Sequence, residues 1–548
     1  MEDFGPQPAA DDTLPDAGRP ARRLIIRWRG GVFVLLSSLT ATLAAVGFAP
    51  DATFRVMALL YIAGITGMAL IGWWLFLSGI PWRARVVSLL LAVILVAAAA
   101  AVSVRGIYFD GDMRPRIRWK WETDPAAQLQ DWLTSNPPPV QVLGAAAAEF
   151  RVTERDWPRY CGHDGARVIR EPRPEVLDWQ YSPPRELWRH PTGAAWSSFA
   201  VVGDRVFTQE QRGPLECTVC YDANSGTEIW CHTDPARYET AMGGTGPRAT
   251  PTVTSAALYA LGATGILSCL QPETGRLIWQ RNILTDAGSS ILDWGMSGSP
   301  LVLGNRVIVD AGGDQDRAVI AYETSTGEII WATQNHRAGY AAPRLEQFSD
   351  TLQLLIFHGD GLLSLNPENG MKLWQYPWTN LYHINVAQPI RVGEQLLISS
   401  GYDAGCVLLD PGDLTDGRPR EVWPPAKSLK LKFNEAVLRD RFVYGLDDGI
   451  LTCIDAWTGE RKWKGGRYRF GQILLWDDLL LIQAEKGFVA IVEASPTAWN
   501  ELTRFDALSE HTWNVPVVSG GRLFVRNAQE AACFRVLPAP ARAGQPVH

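Results

Sequence analysis

The 548-residue sequence predicts an all-β protein, an eight-bladed β-propeller of four-stranded antiparallel blades, preceded by three transmembrane α-helices. Two observations carry the propeller. Trp188, Trp230, Trp279, Trp331, Trp374, Trp423 and Trp463 follow one another at intervals of 42, 49, 52, 43, 49 and 40 residues. Five of them close one phrase: VCYDANSGTEIW, SCLQPETGRLIW, IAYETSTGEIIW, SLNPENGMKLW and TCIDAWTGERKW. Short alternating strands repeating at this period signal small sheets arranged radially. The third observation is a set of three uncharged apolar stretches ahead of the repeats, at about 30–49, 56–80 and 86–104. Each approaches or exceeds the ~20 residues that cross a bilayer.

The amino-terminal segment comes first. Arg19, Arg22, Arg23, Arg27 and Arg29 flank the first stretch, Arg83 and Arg85 fill the second connection, and the first connection holds only Arg55. The positive-inside rule then predicts a cytoplasmic tail over 1–29 and a three-helix anchor over 30–104. The rest of the chain is exported to the periplasm or outside the cell, from a multi-pass position in a bacterial inner membrane. A cleaved signal peptide fits less well, because the first stretch is long and two more follow.

Residues 105–184 read as a linker rich in proline and charge, with a helix-like AAQLQDWL and the piece DWPRYCGHDGARV just before the repeats. Gly162 and Gly165 predict a tight turn that packs on the propeller. His163 and Asp164 suggest a metal, but no third ligand is evident, and a solvated turn is the better reading.

The propeller spans 185–537. Within each phrase a strand runs into Asp222, Gln271, Glu323, Asn366 or Asp455, and a glycine follows four residues later, at Gly226, Gly275, Gly327, Gly370 and Gly459. A carboxylate or amide can accept turn N–H groups, and glycine adopts positive φ at low cost. The tryptophan is placed to wedge against the neighbouring blade. Each indole removes roughly 150–250 Å² from water, worth at most about 4–6 kcal/mol. A degenerate copy with a longer turn precedes Trp423, and another carries Glu501 in the tryptophan slot. The last copy supplies three strands, and RELWRH around Trp188 has none before it. Pairing them closes the ring and removes the exposed edge. A tail over 538–548 remains.

Net charge −7 and a pI near 5.7, with no basic stripe, argue against a nucleic-acid partner. Cys220, Cys269 and Cys453 share one small-residue slot of the repeat and read as packing groups. Cys217 and Cys231 lie close across one hairpin, where a disulfide is one option.

The A-x-D-x-x-T-G-x-x-x-W phrase resembles the pyrroloquinoline quinone (PQQ) repeat propellers. W-P-R-Y-C-G-H-D-G, G-P-R-A-T-P-T-V and W-G-M-S-G-S-P-L-V are similar to a group of uncharacterised, membrane-anchored bacterial PQQ-like propellers. More distantly, the chain resembles quinoprotein alcohol and glucose dehydrogenases, which hold PQQ and Ca²⁺. It also resembles the propeller lipoprotein of the outer-membrane barrel assembly machinery, which binds protein partners and has no cofactor. The chain lacks the adjacent Cys-Cys of many such dehydrogenases and the long inserts that shape their substrate pocket. It also lacks a lipobox.

Propeller ligands sit in the axial channel, among the loops leading into each innermost strand. Those loops offer Trp196, Arg248, Asp293, Trp294, Tyr340, Arg344, His383, Asn385, Lys432, Asn434, Glu435, Arg469, Gln472, Trp513 and Asn514. What the resemblance implies is an aromatic and cationic rim for PQQ, made by Trp196, Arg248, Trp294, Arg344, Lys432, Arg469 and Trp513. Asn434 and Glu435 would then be oxygen ligands to Ca²⁺, and Asp293 a base taking an alcohol proton. The competing reading is that these groups satisfy one another around a water-filled channel. On balance the residues favour a module without cofactor that binds a protein partner or small ligand at the channel face and the bilayer through its helices. The alternative is a PQQ-dependent alcohol or sugar dehydrogenase.

Overall fold

A computed structural model describes residues 27–49, 52–137, 150–174, 177–509 and 511–537. Most of the basic tail, including Arg19, Arg22 and Arg23, and the 538–548 tail lie outside the described residues. The three helices form one unit and the chain from Ser103 onward belongs to a second.

In the first unit, α1 (Trp28–Phe48), α2 (Ala52–Phe76) and α3 (Trp82–Ser103) are each long and apolar enough to cross a membrane. Gly30 and Gly31 let α1 approach the Trp73 indole of α2, whose N–H donates to the Arg27 carbonyl at 3.2 Å. Ser38 and Thr66 join the same two helices by a hydroxyl hydrogen bond of 2.8 Å.

The second unit begins with a hairpin, β1 (Val104–Phe109) and β2 (Pro115–Trp119), followed by α4 (Pro125–Ser135). The Asp124 side chain caps α4 by accepting the Ala126 N–H, and a proline opens the first turn, where its missing donor costs nothing.

Eight four-stranded antiparallel sheets follow among the described residues. Seven are sequential meanders, whose first strands begin at Ala200, Thr252, Leu301, Arg344, Ile390, Ala436 and Gln472; we number these blades 1 to 7. Blade 8 is composite. Val517–Ser519, Arg522–Arg526 and Glu530–Arg535 take their fourth strand from β3 (Arg185–Pro191), with Trp188 opposite Cys533. The ring closes as the sequence predicts. Buried Arg526 fastens the seam, donating to Thr208 at 2.6 Å, to the Gly193 carbonyl at 2.8 Å and to the Gln209 carbonyl at 3.1 Å.

The repeat glycines show what the tryptophans do. A Cβ on Gly275 would lie 2.4 Å from the Trp230 ring, and one on Gly327 would lie 2.7 Å from Trp279. Gly226 abuts Trp188, Gly370 abuts Trp331 and Gly459 abuts Trp423 in the same way. Each indole therefore covers the turn of the next blade, at a glycine with φ between 69° and 72°. Trp374 differs, because blade 5 has the long turn; its N–H donates to Gln353 at 2.8 Å instead. Trp463 donates to the Ser495 carbonyl at 2.9 Å. The small slot lies directly across the ladder from the ring: Cys220 faces Trp230, Cys269 faces Trp279 and Cys453 faces Trp463. All eight cysteines are free thiols, seven of them buried.

Candidate functional site

The axial channel of the propeller is filled from two directions by the chain itself. The linker piece Trp157–Val168 lies across the inner strands. Trp157 forms a bridge with Val201 of blade 1, and the Pro158 carbonyl accepts the Val253 N–H of blade 2 at 2.8 Å. The Gly165 carbonyl accepts Arg344 of blade 4 at 2.7 Å, and the Arg167 carbonyl accepts the Leu475 N–H of blade 7 at 3.0 Å. Arg167 pairs with Glu435 at 2.9 Å, and the Tyr160 hydroxyl donates to the same carboxylate at 3.1 Å. His163 and Asp164 form part of a turn, in which Asp164 accepts the Ala166 N–H at 2.8 Å and pairs with Arg170 at 3.0 Å.

From the other direction comes the tip of the β1–β2 hairpin, Asp110-Gly111-Asp112. All three residues are buried, and a Cβ on Gly111 would meet the Phe470 ring at 2.2 Å. The Gly111 N–H donates to Glu485 at 3.1 Å, and its carbonyl accepts Lys432 Nζ at 3.3 Å. Arg469 faces Asp112 at 3.4 Å and Asp110 at 3.7 Å. Burial raises the carboxyls of Asp112, where Arg114, Lys432 and Arg469 only partly offset it, and of Glu485, where the Gly111 and Phe470 N–H groups and Arg469 do; it lowers the His511 imidazole to about 4.

Two groups of predicted site residues are brought together. Trp196 and Trp513 pack with ring centroids 4.6 Å apart, beside His511 and Phe433. Lys432 and Arg469 share the acidic tip, and Lys432 also lies 4.4 Å from the Phe470 ring centre.

The other predicted residues stand apart. Arg248 lies 4.3 Å over the Tyr238 ring and donates to the carbonyls of Gly243, Gly244 and Gly246 in its own loop; burial lowers its pKa to about 10. Trp294 packs edge-on against Tyr340. Arg344 is held by Glu346 and Gly165. The Asp293 side chain is 69% exposed and faces Arg337 at 3.5 Å. Asn434 spends its amide on the Lys432 N–H and the Leu446 carbonyl, and Glu435 also accepts the Gln388 N–H at 2.7 Å. Asn385, Gln472 and Asn514 tie neighbouring loops together through main-chain carbonyls, and His383 pairs with Asp360 at 2.6 Å.

This donor set does not fit PQQ with Ca²⁺. The cations are committed to the acidic tip, to Gly165 and to loop carbonyls, and the Glu435 oxygens to Arg167, Tyr160 and Gln388. Among the described residues no three His, Cys, Asp or Glu side chains cluster to hold a metal. Sequence reasoning missed Asp110, Asp112, Arg167 and Glu485, whose contacts with Arg469, Glu435 and Gly111 bridge 268 to 374 residues of chain. One signal was available for the tip: an Asp-Gly-Asp turn directly after the last span.

Beside the Trp196–Trp513 pair lies a cavity of about 800 Å³, roofed by β1 and α4 and floored by the loops of blades 1, 2 and 8. Its walls include Arg105–Phe109, Arg118, Leu129, Leu133, Met242 and His511. A volume of this size is typical of ligand sites.

The sequence matches the family profile of the outer membrane protein assembly factor BamB over residues 144–294 and 216–465. BamB of Burkholderia pseudomallei (strain K96243) is 24% identical over 341 residues, which cover 59% of this chain and 80% of that protein. Among solved structures, the quinohemoprotein alcohol dehydrogenase of Comamonas testosteroni has a TM-score of 0.53 at 13% identity, over 78% of this chain and 86% of that one. Quinohemoprotein alcohol dehydrogenase ADHIIG from Pseudomonas putida HK5 has a TM-score of 0.51 at 14% identity, over 72% and 82%. At these identities the two structures share the propeller fold.

Proposed function

The chain belongs to the outer membrane protein assembly factor BamB family, and from that premise we propose that it is a membrane-anchored binding or scaffold module. Its propeller offers the lead-in loop face to a protein partner and carries out no redox chemistry. One observation carries the reading: the side chains best suited to a cofactor already hold the acidic tip and the Trp157–Val168 segment. A propeller plugged in this way acts through its surface loops. The arginine pattern around the helices supports an inner-membrane anchor with the amino terminus in the cytoplasm and the propeller in the periplasm. Three helices would tether the propeller to the bilayer.

The test uses the full-length protein in cells, with a photo-crosslinking residue at Met242 or Leu381, both exposed on lead-in loops. Discrete, site-dependent protein adducts are expected. Their absence at both positions overturns the reading, as does saturable PQQ binding in Ca²⁺ with dye-linked alcohol oxidation by the purified protein.

A further inference from the structure

The cavity beside Trp196 has an unusual wall. Five consecutive residues of β1, Arg105 to Phe109, line it, so the strand presents its edge rather than one face. β1 pairs with β2 alone among the described residues. Register decides which peptide groups point into the cavity. The Asp110 N–H donates to the Arg114 carbonyl at 3.1 Å, which puts that pair in the bonded register. Phe109 opposite Pro115 is then a non-bonded pair, consistent with the missing proline N–H, and Ile107 opposite Ile117 is the next. The main-chain N–H and C=O groups of Ile107 and Phe109 therefore point away from β2, and no partner satisfies them among the described residues. Such an edge is a template for another strand.

The surroundings suit one kind of guest. The facing wall is a second two-stranded piece, Glu239–Thr240 with Gly244–Thr245, also open at its edges. Leu129 and Leu133 of α4 and the Trp196–Trp513 pair supply apolar surface. Of the arginines on the wall, Arg105 pairs with Asp124 at 3.6 Å and Arg237 with Glu239 at 2.5 Å. Arg118 lies 5.5 Å over the Tyr108 ring, and no carboxylate pairs with it among the described residues.

We propose that the cavity is a docking groove for an extended segment of a partner polypeptide. The segment adds as a strand to β1 at Ile107 and Phe109, with apolar side chains against Leu129, Leu133 and Trp196 and an acidic side chain at Arg118. Main-chain pairing supplies the affinity and the alternate side chains the selectivity. Five residues of strand span about 17 Å. The inference rests on the scaffold reading and assigns it a place and a mode.

The test is fluorescence anisotropy on the full-length protein in detergent. The probe is a fluorescein-labelled octapeptide alternating threonine with valine and phenylalanine and carrying one terminal aspartate. Saturable binding is expected, weakened about tenfold when alternate peptide nitrogens are methylated, the loss of about 1.4 kcal/mol of main-chain bonding. Ile107→Pro removes one outward N–H without touching the β1–β2 ladder and weakens binding to a similar extent. Arg118→Ala weakens the aspartate peptide and leaves an asparagine analogue unchanged. No saturable binding, or equal binding of the methylated peptide, overturns the proposal. So does a co-purifying lipid, seen by native mass spectrometry, that the peptide does not displace. Partner adducts at Leu381 without peptide binding sink this inference and leave the scaffold reading standing; no adducts at either position sink the reading itself.

Discussion

Arg167 and Glu435 meet at 2.9 Å with only 3% of either side chain exposed, joining the linker to the start of an inner strand of blade 6. Burial opposes the charge on Arg167, but Glu435 and its other neighbours outweigh that and hold its pKa above the usual arginine value. The pair fixes a segment that has no regular structure of its own, so its energetics should be those of a buried ion pair.

Removing one partner leaves the other buried and unmatched. Arg167→Met should cost about 3–5 kcal/mol, and Arg167→Met with Glu435→Met should recover part of that loss. Thermal unfolding of Arg167→Met, Glu435→Met and the double variant checks this. Strictly additive losses would mean that the two groups do not act together.

The indole-on-glycine contact between blades has a built-in control. Gly275 has φ 69° and its Cβ would strike Trp230, whereas Gly203 has φ 55° and nothing within 4 Å of its Cβ. Gly203→Ala should cost about 1 kcal/mol, from the backbone alone. Gly275→Ala should cost about 1–3 kcal/mol more, from overpacking. In a Trp230→Ala background the difference between the two should shrink, which chemical denaturation can measure.

Those same residues explain what the sequence made legible. The spacing of Trp188 to Trp463 and the phrase glycines encode a contact that recurs at a fixed offset, so blade number, strand order and the closing strand β3 could all be read. The turn carboxylates behave as expected too: Asp222 accepts the N–H groups of Asn224 and Ser225 at 3.0 and 2.9 Å. The candidate site was only half legible. The residue types on the lead-in loops were visible, and Trp196 with Trp513 do meet. What the loops hold was not, because Arg469 with Asp112 and Arg167 with Glu435 are single long-range pairings that leave no period in the sequence. Arg248 was hidden for a different reason: its cation serves three carbonyls of its own loop, which only the folded turn discloses.

Stability should carry a carboxyl signature at mildly acid pH. Glu216 is 4% exposed; one oxygen accepts the Ala263 N–H at 3.1 Å and the other has no hydrogen-bond partner among the described residues. Burial, with Asp234 nearby, lifts its carboxyl from 4.5 to about 7. As pH rises from 4.5 toward 7 the unfolded chain loses this proton and the folded chain keeps it, so stability falls across that window and levels above it. The loss is at most about 3 kcal/mol. Glu210 has the opposite sign: burial pushes it up, but Arg212 and Arg526 outweigh that and bring it down to about 2. Its contribution is present above 4.5 and is lost as pH falls through about 2. Glu216→Gln should flatten the profile between pH 4.5 and 7 and leave the acid limb intact. An unchanged slope in that window would refute the assignment.

The hairpin tip should be separable from the propeller it plugs. Gly111 sits where any Cβ would strike Phe470 at 2.2 Å, so Gly111→Val cannot seat the tip without moving that ring. The tip's own ties to the propeller are few: one N–H donating to Glu485, one carbonyl accepting from Lys432 Nζ, and two charge contacts with Arg469 at 3.4 and 3.7 Å. A two-stranded hairpin is marginal without such anchors, whereas the blades hold one another through the ring. Hydrogen exchange should therefore accelerate across residues 104–119 in Gly111→Val, with blade amides keeping their protection. Losing the tip also removes the two carboxylates that face Arg469, so an acidic peptide that the wild-type protein does not bind should bind there. Arg469→Ala in the same background should abolish that binding. If Gly111→Val instead lowers protection across blades 6, 7 and 8 together with the hairpin, the tip is part of the propeller core and not a removable plug.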